Sequence, residues 1–283
     1  MTDSNNKIFI VLVLYKQKLV ESISFQSLQK HIDDLQMDYQ LFVYNNSPES
    51  NAFDGIDDPN IVTFNAQSNQ KLLGAYNEAL KRAQNEGFNW ILLLDQDSEL
   101  NKEYFVQINE HIANIGDKVA ALVPHTSHKG THISPSEYSS FAGPFGRITP
   151  YSGKLSTHKY LSGINSCTVL RTEAITDIGG FSPEFTLDCM DFMYFYQLYI
   201  KGWKVQPINV EIEHELSILS LNDMGLERYT DYMKACAKFA KETKTSISVA
   251  FKIRTILRSI KMLFIPSKWK FILPTFSAIF INE

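Results

Sequence analysis

The chain has 283 residues, 44% of them hydrophobic, and a formal net charge of −4. Such a chain can bury one sizeable α/β domain with a small appendage, and no nucleic-acid partner is expected. Its three cysteines, Cys167, Cys189 and Cys236, are too few and too scattered for a disulfide framework and lack the CxxC spacing of a zinc site, so a reducing cytoplasm is the predicted compartment. Because residues 1–7 are polar and no uninterrupted apolar run could span a bilayer, neither a secretory signal nor a transmembrane helix is expected.

Short β-rich runs alternate with helical stretches along the first half of the chain. This order predicts an α/β fold with a mainly parallel, doubly wound sheet. In such a sheet the loops after the first, second and fourth strands meet at one edge, so we expect Tyr15, Asn45, Asn46, Asp95 and Asp97 to converge. The predicted strands are 8–15, 41–44, 60–64, 89–94 and 119–123, and the predicted helices lie near 18–37, 71–87 and 101–115.

Two carboxylates follow the fourth predicted strand. The apolar run 90–94 leads directly into Asp95, Gln96, Asp97 and Ser98. Hard oxygen ligands at the carboxyl edge of a sheet suit Mg²⁺ or Mn²⁺, and such an ion can bridge a diphosphate. The spacing alone fits a solvated acidic turn equally well.

Residues 246–283 form a different kind of surface from the rest of the chain. They carry six basic residues and one acid, whereas residues 1–245 are acidic overall. If this segment is helical, seven apolar side chains share one arc, with Lys252 at one border and Arg254, Arg258 and Lys261 toward the other. Such borders suit snorkelling into an anionic membrane surface, although packing of the helix on its own domain fits the same pattern. The arc consists of Val249, Ile253, Ile256, Leu257, Ile260, Leu263 and Phe264, and an apolar, aromatic-rich end follows the helix breaker Pro266.

Six stretches, taken in order, resemble the motifs of the inverting GT-A glycosyltransferases of the large family that includes bacterial rhamnosyltransferases and other enzymes of surface-polysaccharide assembly. The resemblance runs through roughly residues 7–220. It implies a GT-A catalytic domain over residues 1–220. The charge and apolar pattern of the C-terminal segment predict a helical, basic, membrane-surface element over 221–283. The stretches are Val13-Leu14-Tyr15, Tyr44-Asn45-Asn46-Ser47-Pro48, Asn69 through Asn77, Leu94-Asp95-Gln96-Asp97-Ser98, Gly179-Gly180-Phe181, and Asp188-Cys189-Met190-Asp191 with Gly202-Trp203 behind it.

The resemblance implies that the loops after the first two strands hold the base and ribose of a nucleotide. Tyr15 would pack beside the pyrimidine. At Asn45 and Asn46 the chain departs from the family, because an amide replaces the carboxylate that usually accepts from the base. An amide can still bond a base edge, while an Asn-rich turn is the alternative interpretation.

Asn69, Lys71 and Asn77 resemble the Asn-x-Gly-x-x-x-Ala-x-Asn segment that the family carries at a helix N-terminus. Lys71 stands at the glycine position. It would add a cation beside the diphosphate, where the helix dipole already favours anions, or it is an exposed lysine of the first turn.

The resemblance also implies a divalent cation. Asp97 is predicted to contact Mg²⁺ or Mn²⁺ directly, and Asp95 is predicted to reach the ribose or a metal-bound water. His214 is a candidate third ligand, because many relatives carry a late histidine near the diphosphate, although a lone histidine is more often structural.

Asp191 is the predicted catalytic base. It opens a helical run that ends at Gly202, and the resemblance places this carboxylate over the sugar's anomeric carbon, where it would deprotonate the acceptor hydroxyl. Asp188 lies one turn earlier on the same face and competes for this role. A helix cap at Asp188 with Asp191 in the first turn is the structural alternative. Gln197 replaces the arginine that usually follows in this helix.

The predicted function is therefore metal-assisted transfer of a sugar from a nucleotide-diphosphate donor, dTDP-rhamnose or a UDP-hexose, to a lipid-diphosphate-linked saccharide. The enzyme is expected in the cytoplasm, at the inner face of the cell membrane. Segment 125–159, whose sequence has no clear helical or strand period, is expected to form a long loop that faces the acceptor.

A catalytically weak nucleotide-sugar-binding or scaffold subunit is the alternative function, suggested by Asn45 and Gln197. A nucleotidyltransferase lacks support because no glycine-rich basic loop is found, and homo-oligomer formation stays open.

Overall fold

The computed structural model of the protein describes residues 6–49, 52–53, 58–155, 157–214 and 225–281. Within these ranges the strands are β1 (Lys7–Leu14), β2 (Asp38–Asn45), β3 (Ile61–Asn65), β4 (Trp90–Leu94), β5 (Val119–His128), β6 (Thr131–Ser134), β7 (Ser136–Ser139), β8 (Thr149–Pro150), β9 (Lys159–Ser162), β10 (Thr168–Arg171) and β11 (Lys204–Glu213). The α-helices are α1 (Ile23–His31), α2 (Lys71–Asn85), α3 (Lys102–Ala113), α4 (Thr172–Asp177), α5 (Met190–Ile200), α6 (Leu226–Glu242), α7 (Thr245–Leu263) and α8 (Ile272–Ser277), with a 3₁₀ helix at Pro266–Phe271.

An eight-stranded sheet organises the chain. Its strand order is β11-β5-β10-β4-β1-β2-β3, with β6 paired to β5. Strand β1 pairs in parallel with β2 and β4, and β5 pairs in parallel with β11. Strand β10 enters antiparallel between β4 and β5. The mainly parallel arrangement follows from the alternation of strands and helices in the first half of the chain.

Both faces of the sheet are covered. Strand β1 shows why, because its alternate residues Phe9 and Val11 join one apolar cluster while Ile10 and Leu12 join the other. The first cluster includes side chains of α2, α5 and the C-terminal helices, and the second includes side chains of α1 and α3. A strand that buries both faces reads as a continuous apolar run rather than as an alternating one.

The segment predicted as an irregular excursion is more regular than expected. Between residues 125 and 162 strand β5 continues to His128 and pairs with β6, and a three-stranded sheet of order β8-β7-β9 follows. Strands β6 to β9 have only two to four residues each. Because they are so short, their sequence shows no period that would separate strand from loop.

The C-terminal helices pack on the sheet domain. Phe239 of α6 lies 6.0 Å from Tyr196 and 6.2 Å from Phe192, between ring centroids, and both partners belong to α5. Phe251 of α7 lies 4.9 Å from Phe145. These helices therefore extend the main apolar core, while the predicted division between residues 1–220 and 221–283 stays a prediction.

A bilayer-crossing helix is not found among the described residues, where every helix is too short or too polar for that role.

The packing of α7 generates a stability prediction. Phe251→Ala should lower the free energy of unfolding by about 3 kcal/mol, because it empties a buried aromatic position. Ile253→Ala, two residues along the same helix but more than half exposed, should lower it by less than about 1 kcal/mol. Urea denaturation of both variants measures the difference, and equal losses would contradict the packing of α7 on the core.

Candidate functional site

A cleft of about 520 Å³ lies at the carboxyl ends of β1, β2 and β4. Open α/β sheets bind ligands at this edge, because the loops after neighbouring parallel strands meet there. Most of the residues predicted from the sequence converge on it. Those lining the cleft are Tyr15, Asn46, Asn69, Lys71, Asp95, Asp97 and His214.

Asp95, Asp97 and His214 form one group at the floor of the cleft. Each offers a ligand atom, and these atoms all lie within 4.8 Å of one another. Opposite ligands of a divalent cation lie about 4 Å apart, so a small inward movement would allow all three to bind one ion. Two carboxylates and an imidazole suit a metal such as Mn²⁺. Among the described residues this is the group that could hold a metal.

Burial and neighbouring charge act together on Asp95. Burial, then the charges of Asp97 and Asp191, raise the pKa of Asp95 to about 7. A cation would relieve this repulsion, because it favours the ionised carboxylate. The group therefore has an electrostatic reason to bind a positive ion.

Three serines that the sequence did not single out as site residues hold the group in place. The Ser98 hydroxyl lies 2.9 Å from Nδ1 of His214 and 2.6 Å from the Ser166 hydroxyl. The Ser24 hydroxyl contacts the backbone carbonyls of Asp95 and Ser98. Such contacts orient ligand side chains. Ser98 adjoins the acidic pair in sequence, whereas Ser24 and Ser166 gave no local signal.

The nucleotide-side loops are also fixed by amide side chains. The backbone N–H of Tyr15 donates to Oε1 of Gln96 at 2.8 Å, which leaves the Tyr15 ring largely exposed at the cleft. Asn46 accepts from the N–H of Gln70 at 2.8 Å and donates to the carbonyl of Lys71 at 3.0 Å. Asn46 thus ties the loop after β2 to the start of α2.

Four predicted residues are not among those that line this cleft, namely Asn45, Asn77, Asp188 and Asp191. Asn45 is fully buried, donates to Oδ1 of Asn65 at 2.8 Å and accepts from the N–H of Ser47 at 2.9 Å. Its amide therefore holds the ends of β2 and β3 instead of facing the cleft. Asn77 is exposed on α2 and lines a different cleft with Tyr44. The helical rotation between positions 71 and 77 carries it off the face that meets the sheet edge.

Lys71 begins α2 in a left-handed conformation, with φ of 57°. Glycine adopts this conformation readily, whereas another residue costs about 1 kcal/mol there. Lys71 thus adopts a backbone conformation typical of glycine while its side chain adds a cation. Lys71 lines both the main cleft and a neighbouring cleft of about 500 Å³.

Asp188 and Asp191 lie in different electrostatic surroundings. Asp188 accepts two hydrogen bonds from the guanidinium of Arg228 on α6, one of them at 2.7 Å. This pairing raises the pKa of Arg228. Burial raises the pKa of Asp191 to about 7, although the backbone N–H of Phe192 donates to its carboxylate at 2.8 Å.

Gln197 lies further along the same helix as Asp191. Its Oε1 is buried, and no hydrogen-bond partner for it is found within the described part of the chain. Arg228, in contrast, lines the main cleft. A guanidinium from α6 is thus present beside Asp188, although the sequence gave no reason to connect these two positions.

A model of glycosyl transferase family group 2 matches residues 90–278. The chain belongs to this family. The match includes both carboxylates of the acidic pair, His214, and the Asp188 and Asp191 positions. No curated protein sequence matches this glycosyl transferase.

Solved structures share the fold at low sequence identity. GalNAc-T7 with UDP, GalNAc and Mn²⁺ has a TM-score of 0.57 and 10% identity over 82% of this chain, which spans about half, 48%, of that chain. Residues 1–349 of TarS from S. aureus in complex with UDP-GlcNAc give 0.53 and 13% over 96% of this chain and 81% of that one. The mannosyltransferase PcManGT from Pyrobaculum calidifontis, in complex with GDP-Man and Mn²⁺, gives 0.52 and 10% over 96% and 73%. The predicted GT-A fold class is thereby confirmed.

The geometry of the acidic group generates a prediction about metal binding by this family group 2 protein. Asp97→Asn should weaken binding of Mn²⁺ at least about tenfold, because it replaces an anionic ligand with a neutral amide. Glu99→Gln removes the same charge from an exposed side chain two residues away and should leave binding unchanged. Electron paramagnetic resonance titration measures free Mn²⁺ in both cases. An equal loss in both variants would mean that the ion responds to overall charge and not to ligation.

Proposed function

We propose that this protein transfers a sugar from a nucleotide-diphosphate donor to a saccharide acceptor, with inversion at the anomeric carbon in a single displacement. One observation carries the proposal. The carboxylates of Asp95 and Asp97 share a cleft with the nucleotide-side loops, and the charge of Asp191 acts on Asp95. The group that could hold a metal thus lies in the same cleft as the nucleotide-side loops, and the candidate base is near enough for its charge to act on Asp95.

Asp95, Asp97 and His214 would hold Mg²⁺ or Mn²⁺. When bound, such an ion neutralises the charge that develops on a departing nucleotide diphosphate. The proposal is supported by the family, and by GalNAc-T7 and PcManGT, whose structures contain Mn²⁺. Ser98 keeps the imidazole of His214 turned toward the group.

Asp191 is the base in this proposal. A base must be ionised to accept a proton, and its carboxylate oxygens must be available to the acceptor hydroxyl. Asp188 is held by Arg228, whereas burial raises the pKa of Asp191 to about 7, which suits proton transfer near neutral pH. Asp191 takes the proton of the acceptor hydroxyl while that oxygen attacks opposite the leaving group.

Two cations would meet the donor diphosphate. Arg228 lines the main cleft, and Lys71 lies at the N-terminus of α2 with its side chain on the same cleft. Helix N-termini favour anions, and a guanidinium binds phosphate oxygens through paired N–H groups. Arg228 would thereby supply the charge that Gln197 lacks.

The donor is dTDP-rhamnose or a UDP-hexose in this proposal, and the neighbouring cleft receives the acceptor. That cleft is lined by Asp188 and shares Lys71 and Leu187 with the main cleft. The acceptor is a lipid-diphosphate-linked saccharide at the inner face of the cell membrane. The basic, apolar C-terminal region supports this location.

A panel of nucleotide sugars with Mn²⁺ tests the proposal. The purified protein should show a thermal shift with one donor and transfer its sugar to a synthetic saccharide acceptor. Asp191→Asn keeps the size and a polar head, so the donor shift should survive while transfer falls by a factor of about 10² to 10⁴. Asp188→Asn should lower transfer less.

Contrasting results have clear meanings. An inactive Asp188→Asn beside an active Asp191→Asn would reverse the two roles. Donor binding without transfer by the unmodified protein, toward any acceptor offered, would favour a nucleotide-sugar-binding subunit.

The raised pKa of Asp191 predicts the dependence of transfer on pH. Asp191 accepts a proton only when ionised, and about one tenth of it is ionised one pH unit below a pKa of about 7. At saturating Mn²⁺ and donor, the transfer rate should therefore rise about tenfold between pH 6 and pH 8 and then level off. A rate that is flat across this range would contradict the assignment.

Stability offers an independent readout of the same carboxyl. The ordinary pKa of Asp is about 4, and the folded value of about 7 is higher. Asp191 therefore favours folding below about pH 4, and this contribution is lost as the pH rises to about 7. The melting temperature of Asp191→Asn relative to the unmodified protein should accordingly be higher at pH 8 than at pH 4.5.

A further inference from the structure

Helix α7 turns its most apolar side away from the protein. Large aliphatic and aromatic side chains lie on its outer face, and Leu257 and Phe264 are 61% and 80% exposed. Among the described residues, the exposed large apolar side chains concentrate in this part of the chain. We define the outer face of α7 by Ile253, Ile256, Leu257, Ile260, Leu263 and Phe264, and call it the tail face.

The opposite side of α7 is less apolar. Its buried stripe contains Ile247, Phe251 and Met262 but also Thr255 and Ser259, whose hydroxyl donates to the Thr255 carbonyl at 3.0 Å. A helix that packs on the core of a water-soluble protein normally buries its aliphatic side chains and exposes its hydroxyls. Helix α7 reverses this order for much of its length, so its outer face needs an apolar environment of its own.

Exposed apolar side chains also follow the helix in sequence. After Pro266, Trp269 is 59% exposed and Leu273 is 75% exposed, and Phe276 and Phe280 also face outward. Aromatic side chains of this kind settle at the boundary between lipid and water. Exposed apolar side chains therefore recur along the sequence from α7 to Phe280.

Basic side chains border this surface. Lys252 and Lys261 flank the apolar arc of α7, and Lys270 follows Trp269, all three exposed. Between Glu242 and Glu283 the sequence contains no acidic residue. An apolar face with a cationic border and no anion fits a surface that is apolar inside and anionic outside.

The charge pattern also argues against a second copy of the chain as the occupant. In a twofold contact the same patch meets itself, so the lysines of both copies would approach one another without acidic partners from this segment. Lipid headgroups with negative charge provide those partners.

We propose that the tail face rests on the surface of an anionic lipid bilayer, with α7 lying in the plane of the interface and Lys252, Lys261 and Lys270 at headgroup level. This proposal rests on the proposed function for one premise, that sugar transfer takes place at a membrane. The face itself is argued only from exposure and charge, so the two can fail separately.

Vesicle sedimentation tests the proposal with the full chain. The unmodified protein should bind vesicles that contain phosphatidylglycerol, and should bind pure phosphatidylcholine at least tenfold more weakly. A triple variant of the tail face, Leu257→Ser, Ile260→Ser and Phe264→Ser, should lose at least tenfold in binding to the anionic vesicles. A second triple variant, Lys252→Gln, Lys261→Gln and Lys270→Gln, should lose both affinity and the sensitivity of binding to salt.

The matched control carries serine at three exposed apolar positions elsewhere, Val20, Leu155 and Ile200, and should bind like the unmodified protein. Thermal melting and Mn²⁺-dependent donor binding should be unchanged in the serine variant of the tail face. Sugar transfer to a soluble acceptor by a protein that never binds vesicles would overturn the membrane surface while leaving the proposed function intact. A dimer in solution that the tail-face serine variant dissociates would instead assign this face to a second copy.

Discussion

The burial of a carboxylate at the end of a fully buried strand is the constraint on which the rest of the site depends. Strand β4 runs between β1 and β10 with every side chain inside, and Asp95 follows it directly. A carboxylate in this position loses water, which explains why its pKa is raised to about 7. The hydroxyl of Ser24 donates to its backbone carbonyl, while a cation in the cleft would stabilise its charge.

The two carboxylates near the start of α5 show how tertiary structure separates residues that look equivalent in sequence. Asp188 and Asp191 lie one turn apart, and spacing alone leaves their roles open. The guanidinium of Arg228 engages Asp188, whereas Asp191 accepts from the backbone N–H of Phe192 and its pKa is raised by burial. The two carboxylates therefore differ in their partners, so the segment that leads into α5 can supply both an anchor and a base.

Local pattern was sufficient for the alternating strands and helices of the first half of the chain, and for the position of the acidic pair at the end of β4. Continuous apolar runs predicted β1 and β4, and the sheet topology then brought Tyr15 and Asp97 to one cleft. The local sequence pattern could not predict contacts between positions that are distant in sequence, such as Ser24 with Asp95 and Arg228 with Asp188. Asn77 shows the opposite failure, because matching a motif in sequence did not determine which way the side chain would face on α2.

The C-terminal helices share their apolar core with the catalytic sheet, through Phe239 and Phe251, and Arg228 adds an ion pair at Asp188. This shared packing holds the outer side of α7 and the cleft at one separation in the structure. If α7 lies on lipid, that separation sets a fixed working height above the bilayer. Acceptors whose reactive hydroxyl sits at that height would be glycosylated, and shorter or longer ones would not. The distance between α7 and the cleft would then select acceptors by the length of their glycan.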